Sequence, residues 1–545
     1  MKKTLITLGL CLAFFGFAYA QTTEAGTGPR VEMNQYGQLV ETLPIEVTLR
    51  NGITWFENRE RGYRFWFDGR VQVDFANFHN QRNGTIALPD GQVINGVGQF
   101  THPDAAPHMP GGLSLRRVRF AVKAQITDQW YGEIDFNMAN GTFGLQDAYI
   151  QFNPRILPAW QFRLGNFKED FSMEYTTSSR FVTFMERSMP ITAFNFTRRL
   201  GFQTKWHDMN MSPWLRVSGG VTLQEIDDLE LRESVVVNQN RGVRGPGPNF
   251  TGKVVLMPWA TNPDQGLHFG YNIQHRSGRW IDAEGPVWAD NQRSWYAMRV
   301  NSRNSTHINR TSYLDTRWIE GVRGNLFQGV ELAGFWNGWR FSSELIWHDM
   351  IMDRNLWNFP TFTAAHAVES GLSVQELTDL YAQNKRFWGF HVQAGKLLFG
   401  GRQRYDIRQS EFTQPIRGRS WGDVEILFRY DFLDLNNNHN DRPIHMLAAN
   451  GSGRDTRWGQ AGGAAHNFTF GLSYWINDNM RFTLNYQITQ TDVWANGGSH
   501  VSSWTNRHVA VGRDRNGNFT ANPLAVVEDP GVRFNALQMR FEMWF

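Results

Sequence analysis

The sequence predicts an all-β protein, a transmembrane antiparallel β-barrel of about 16 strands (16 to 18) with one constriction loop folded inward. Three observations point there. The last nine residues alternate, with Leu537, Met539, Phe541, Met543 and Phe545 on one side and Gln538, Arg540 and Glu542 on the other, the period of a strand with an apolar and a polar face. The chain opens with Lys2 and Lys3, an apolar run from Leu5 to Phe17 and Ala18-Tyr19-Ala20 before Gln21, which reads as a cleavable export signal. After it no apolar run reaches the roughly 20 residues a spanning helix needs, so a membrane form must close as a barrel. The third observation is composition: 52 Gly, 22 Trp and 41 Phe coexist with a mean hydropathy of −0.46, because polar residues alternate with lipid-facing ones.

Residues 1–20 are the signal peptide, 21–60 a periplasmic N-terminal segment with a hairpin expected around Asn51-Gly52, and 61–545 the barrel. Cys11 is the only cysteine and lies inside the signal after Leu10, so neither a lipid anchor nor a disulfide nor a thiolate metal site is expected of the mature chain. The barrel starts where Phe65, Phe67, Gly69, Val71, Val73 and Phe75 share one face and Trp66, Asp68, Arg70, Gln72 and Asp74 the other. The same alternation sets Val118, Phe120, Val122, Ala124 and Ile126 against Arg117, Arg119, Lys123 and Gln125, and then Ile134, Phe136 and Met138 against Glu133, Asp135 and Asn137. Tight turns at Thr127 to Trp130, Asn337-Gly338 and Ile476 to Asn479 belong on the periplasmic side. The longer stretches 80–112, 236–250, 280–312, 353–385, 435–462 and 495–530 are expected outside, and Ser373-Val374-Gln375-Glu376 is a capping box that starts a helix within one of them. The closing Phe545 resembles the terminal residue by which bacterial outer-membrane barrels are recognised for assembly. Export through a cleaved signal to the bacterial outer membrane follows.

Basic and acidic residues nearly cancel, 54 against 51, so net charge names no partner and nothing suggests nucleic acid. The kind of cation is more telling. The chain has 46 Arg and 8 Lys, a skew toward the planar fork that suits phosphate and carboxylate, although ion pairs and headgroup contacts account for many surface arginines. No enzyme is expected. His207-Asp208 and His348-Asp349 are neighbours whose side chains face opposite sides of a strand, and no Gly-x-Ser-x-Gly elbow occurs. Asp434 to Asn438 begins like a calcium loop but has His439 at the glycine position and His445 at the closing glutamate, so neither metal nor cofactor is expected.

Between Gly165 and Arg187 the alternation breaks, as in a loop folding into a lumen: Gly165-Asn166-Phe167-Lys168-Glu169-Asp170-Phe171-Ser172-Met173-Glu174, then Tyr175 to Arg187. With Leu115-Arg116-Arg117, Gln146-Asp147-Ala148-Tyr149 and Thr197-Arg198-Arg199-Leu200-Gly201, this stretch resembles the phosphate-selective porins O and P, and the resemblance runs from about residue 60 to the end. It implies a trimeric 16-stranded barrel whose third long loop narrows the pore and presents an anion site. Carried over by motif, the constriction uses Arg116, Arg117, Asp147, Ser178, Ser179 and Arg187, with Lys168 a further cation. Strand parity puts Arg117 in the lumen and leaves Arg116 open. Where the phosphate-selective members carry a lysine, this chain has Tyr175, and where they carry an aromatic it has Lys168. Lys168 could instead pair with Glu169, Asp170 or Asp147, and the arginine pair could pack against Asp135 or Glu133.

These readings converge on a passive diffusion porin with anion, phosphate-like preference, whose partners are small anionic solutes, outer-membrane lipid and lipopolysaccharide, and two further copies of itself in a homotrimer. Two alternatives stay open: a carbohydrate channel using the lumen aromatics Trp66, Tyr149 and Trp544, and an outer-membrane hydrolase.

Overall fold

A computed structural model describes residues 30–33, 39–42, 44–50, 52–83, 86–87, 109–141, 143–194, 197–223, 248–278, 298–303, 305–309, 312–316, 319–356, 359–364, 373–437, 460–491, 511–513, 519–521, 526–527 and 532–545. Most of the expected outer loops 80–112, 236–250, 280–312, 435–462 and 495–530 lie outside the described residues. Sixteen antiparallel strands close into one barrel. The first eight are β1 Tyr63–Asn83, β2 Gly112–Ile126, β3 Trp130–Asn137, β4 Gly144–Phe152, β5 Trp160–Lys168, β6 Arg198–His207, β7 Leu215–Thr222 and β8 Asn249–Leu256. The rest are β9 Gln265–Ser277, β10 Val322–Trp336, β11 Trp339–Met352, β12 Lys385–Leu397, β13 Asp423–Asn437, β14 Gln460–Trp475, β15 Met480–Thr491 and β16 Val532–Trp544. Each pairs with its chain neighbour, so side chains alternate between lipid and lumen around the whole wall. Phe65, Phe67 and Phe75 stay exposed on the outer face of β1, while Asp68, Arg70, Gln72 and Asp74 are buried inside.

The chain ends close the ring. β16 pairs with β1 from Trp544 opposite Arg70 to Val532 opposite Asn83, and the seam is completed by Gly69 N–H donating to Phe545 O (2.8 Å) and Phe545 N–H to Gly69 O (3.1 Å). Gly69 is required there: a Cβ would sit 2.4 to 2.9 Å from the Phe545 ring, so only the missing side chain lets that ring lie across the strand. Ahead of β1, a hairpin of Glu46–Arg50 and Ile53–Asn58 adds to the same edge below Phe545, with Trp55 opposite Trp66. Asn479, in the turn between β14 and β15, donates through Nδ2 to both Gly52 O and Trp544 O (2.8 Å each), tying hairpin, seam and turn together.

The lumen is partly filled. Residues 169–194, after β5, fold inward and carry two short helices, α1 Met173–Thr176 and α2 Met189–Ala193. Ile191, Ala193 and Phe194 join Phe327, Ile346, Phe387 and Leu433 of the wall and Val300, Leu314 and Ile319 of the segment before β10 in one buried apolar cluster inside the barrel. A third helix, α3 Val374–Tyr381, has the expected capping box at Ser373 and Glu376 and buries Leu377 and Tyr381 in that cluster.

A strap enters from the opposite end. Most turns there are short, but residues 398–422 run from β12 to β13 as a 25-residue segment that sequence reading did not distinguish. Asp423 gathers its base by accepting from the N–H groups of Phe399, Gly401 and Gly418 (2.9 to 3.0 Å). Arg402 pairs with Asp264 (2.8 Å) and Arg417 with Asp478 (3.0 Å), anchoring the strap to two other turns. Its middle reaches across the lumen: Lys205 of β6 donates to Gln409 (3.1 Å), Tyr405 bonds His268, and Phe412 packs on Met173 of α1. Burial among these groups pushes the Glu411 carboxyl up to about 7, with Asp406 adding to the rise and Lys168 opposing it.

Two outcomes follow. Gly69→Val, by evicting the Phe545 ring, should destabilise the closed barrel by about 1–3 kcal/mol, the usual scale of overpacking, and lower the temperature at which the folded band converts to the unfolded one in semi-native electrophoresis; an unchanged midpoint would contradict the role of this seam. Because the carboxyl of Glu411 is raised in the docked strap, docking is favoured below its ordinary range near 4.5 and weakens as pH rises toward and through about 7. Hydrogen-exchange protection across 398–422, corrected for the intrinsic base-catalysed rate, should therefore fall from pH 5 to pH 8, and Glu411→Gln should flatten that fall.

Candidate functional site: a clamped loop and a cationic strip

The inward loop is fastened by charge at both ends. Just after β5, Asp170 accepts from Ser218 (2.8 Å) and pairs with Arg216, while Glu169 accepts from Thr222 and pairs with Arg199 (3.3 Å). These partners sit on β6 and β7, so the chain turns into the lumen as soon as the strand ends. Ser172 caps α1 by accepting from Tyr175 N–H (3.0 Å). At α2 the first N–H, that of Met189, donates to the Asp431 carboxylate of β13 (2.8 Å), satisfying one of the bare donors of a helix start.

The returning limb meets three buried arginines. Arg481 of β15 donates to Val182 O (3.1 Å), Arg540 of β16 to Met185 O, and Arg429 of β13 to Glu186 O (2.8 Å). Each guanidinium is also answered by carboxylates: Arg481 by Glu542, Arg540 bidentately by Asp74 (2.7 Å twice) and by Glu186 (2.9 Å), and Arg429 by Glu174 (3.7 Å). Part of the arginine skew is thus structural, because the five-donor fork can hold an acid and a backbone carbonyl together where a lysine presents only a point charge.

This packing leaves the two halves of the wall in different states. Lumen-facing Glu331, Glu344, His348, His391 and Asp431 on β10–β13 are at most 1 % exposed. On β2 and β6 the side chains of Arg116, Arg119, Lys123 and Arg198 keep 15–21 % of their surface. The more solvent-accessible charged side chains of the lumen therefore lie on β2 and β6, facing the inner loop.

Most of the residues expected at the constriction lie beside this strip, in varied roles. Arg116 and Arg117 both face the lumen because a β-bulge between Gln72 and Val73 of β1 sets Gln72 opposite Arg117 and Val73 opposite Leu115, leaving Arg116 as the extra residue. Arg116 forms a bidentate pair with Glu186 (2.6 and 2.8 Å), and Arg117 donates to the neutral Gln72 Oε1 (2.8 Å). Asp147 pairs with Arg198 (2.8 Å) rather than Lys168. Lys168 donates to the carbonyls of Tyr175, Thr176 and Thr177 (3.2 to 3.4 Å), and Arg187 to those of Glu174, Tyr175 and Thr177 (2.9 to 3.1 Å). Both cations sit at the negative end of α1. Ser178 is half-buried, and its carbonyl accepts from the N–H groups of Phe181 and Val182. Ser179, carried over to the constriction by the resemblance, is instead buried against the wall, where its Oγ accepts from Arg70 of β1.

The charge balance of the strip is uneven. Arg116, Arg119, Lys123, Arg180 and Arg198 are matched by Glu186, Asp135, Glu133, Asp68 and Asp147. Arg117, Lys168 and Arg187 donate to neutral oxygens, and Lys168 also faces the Glu411 carboxyl of the strap, so cations outnumber the carboxylates bonded to them along the strip. Glu133, Asp135 and Asp147 lie close enough together to hold a cation, yet each is already answered by a cationic side chain of the protein. Glu186 and Arg198 were missed as members of the site, although the inward break of the loop and the Arg198-Arg199 pair were visible. Trp544 points inward as parity requires, but it is sealed against Trp475, Leu397 and Phe181 and lines no passage.

Arg540→Met should strip Asp74 and Glu186 of their shared partner, a loss of about 3–5 kcal/mol for a broken buried pair. The loop should loosen, giving a larger and noisier single-channel conductance; an unchanged conductance would contradict the clamp.

The chain is similar to several known proteins. Porin O of Pseudomonas aeruginosa is 22 % identical over 450 residues, covering 79 % of this chain and 84 % of its own length. An uncharacterized protein of Caulobacter vibrioides is 23 % identical over 452 residues, covering 82 % of this chain and 72 % of its own. Among solved structures, an anion-selective porin from Comamonas acidovorans superimposes with a TM-score of 0.42 at 10 % identity, covering 89 % of this chain and 100 % of the other. OmpT of Vibrio cholerae gives 0.41 at 9 %, covering 89 % and 98 %. The sequence profile of the phosphate-selective porins O and P matches residues 89–282 and 360–507. The chain belongs to the phosphate-selective porin O and P family and is an outer-membrane porin.

Proposed function

We propose that this porin passes small anions, phosphate-like in charge and size, by passive diffusion along the strip between β2–β6 and the inner loop. The observation that carries the reading is the trio Arg117, Lys168 and Arg187, whose hydrogen-bond partners are neutral oxygens, so no directly bonded carboxylate cancels their charge. An anion entering a narrow passage sheds water, and fixed cations with nearby acids replace it by charge-assisted contacts shallow enough for release. The exchange of Lys168 and Tyr175 relative to the phosphate-selective members fits this reading. Lys168 Nζ lies 3.2 Å from Tyr175 O and 5.5 Å from the Tyr175 ring, so a lysine from either position brings its charge to the same end of α1. On this reading residues 1–20 are removed on export, 21–60 lie in the periplasm with the short turns, lipopolysaccharide and lipid surround the apolar face, and the working unit is a homotrimer.

The carbohydrate channel loses Trp544 to burial. The hydrolase reading loses its residues: His348 is buried beside Asn325, and His207 bonds the Pro213 carbonyl at the rim.

The test is the reversal potential of the double variant Arg117→Gln, Lys168→Gln against Arg323→Gln, Arg354→Gln at the outer rim. Exposed rim charges are screened within about 8–10 Å, whereas those beside the passage act on a partly dehydrated ion. The first pair should move selectivity toward cations and the second should leave it nearly unchanged; equal effects would remove the mechanism.

A further inference from the structure

Toward the short-turn end of the same passage, the wall changes character. Trp55 of the hairpin stacks on Trp66 of β1 with ring centroids 3.7 Å apart; Trp66 lies 5.9 Å from Tyr131 of β3, and Tyr131 5.9 Å from Tyr149 of β4. The row ends at β5, where the Arg163 guanidinium covers the Tyr149 ring at 4.2 Å. Lys123 and Glu133 stand in the same cross-strand row, Lys123 opposite Trp66 and Glu133 opposite Tyr149. Four aromatic rings and a guanidinium thus form a half-collar on the side of the lumen that packing leaves open.

Two features set this collar apart from ordinary wall packing. Tyr131 and Tyr149 both donate their hydroxyls to Glu133 Oε2 (2.7 and 2.9 Å), which fixes both rings while they stay partly exposed, with Trp66 buried as the floor behind them. Arg163 makes one side-chain hydrogen bond, to Gln151 (3.0 Å), pairs with no carboxylate among the described residues, and keeps a buried Nε without a partner. It lies five residues before Lys168 on β5, about 16 Å nearer the short-turn rim at strand rise.

We propose that this collar is a second solute subsite, for small organic anions in which a flat ring is joined directly to a phosphate or carboxylate. The ring lies along Tyr131 and Tyr149, and the anion takes the free donors of Arg163, with Lys123 beside it; neither half of the collar alone distinguishes such a solute from inorganic phosphate. The proposal rests on the anion reading of the passage and adds a preference for ring-bearing anions over the inorganic ion.

The experiment is block of chloride current through the purified full-length porin in planar bilayers, with phenyl phosphate, inorganic phosphate and phenol added separately to each side. Phenyl phosphate should half-block at a concentration about tenfold below inorganic phosphate, the scale of one aromatic contact, and most strongly from the short-turn side. Phenol should have little effect. Tyr149→Leu and Arg163→Gln should each erase the advantage while leaving block by inorganic phosphate within about twofold, and Tyr149→Phe, which keeps the ring, should retain most of it. Equal block by phenyl phosphate and inorganic phosphate in the unaltered porin would overturn the subsite and leave the anion reading standing. Absence of block by either anion, with cation preference, would overturn the anion reading itself.

Discussion

The architecture depends on carbonyl oxygens of the inner loop being held by arginines of the wall. A long loop inside a barrel has many backbone acceptors that water would otherwise satisfy, and leaving them bare in a dry interior is costly. Arg429, Arg481 and Arg540 supply donors from three strands, and each is charge-matched by acids, so the fastening adds little net charge to the lumen. Together with the Glu169 and Asp170 anchors and the burial of Ile191, Ala193 and Phe194, these contacts hold the loop in the lumen.

That fastening also decides which side of the lumen is filled. Loop, strap and the segments before β10 and β12 fill the β8–β16 side, and the apolar cluster around Phe194, Phe327 and Phe387 makes that filling a packed core rather than a wet gap. The β2–β6 side keeps its charged groups in contact with solvent, and there the pairing of acids with cations is incomplete in favour of cations. On the proposed anion reading, selectivity comes from what the packing leaves without a directly bonded carboxylate. The total number of arginines is a poor guide to it, because the most buried ones are engaged in holding the loop.

The sequence carried the barrel clearly. Period-two alternation at β1 and β16 gave the faces of Phe65 to Phe75 and Leu537 to Phe545, and the loss of alternation after Gly165 marked the inner loop. It could not carry Arg116, since one extra residue in a bulge shifts parity and depends on the partner strand. Lys168 and Arg187 look like free cations in a sequence; that they end on the carbonyls of α1 is a consequence of a four-residue helix whose position is set by Ser172 and by the Glu174–Ser188 contact. Trp544 has the right parity and the wrong environment for a sliding track. The strap 398–422 carries no periodic signal, and its inward path is fixed by contacts to Asp264, Lys205 and Asp478, all remote in sequence.

The central claim is that the unpaired cations of the β2–β6 strip set the sign of the field an ion meets. The reversal potential of the unaltered porin across a bilayer with asymmetric potassium chloride reads that sign without any substitution. The account predicts a potential displaced toward the chloride equilibrium value, larger at low than at high salt because screening grows with ionic strength. A potential displaced toward the potassium value at low salt would contradict it.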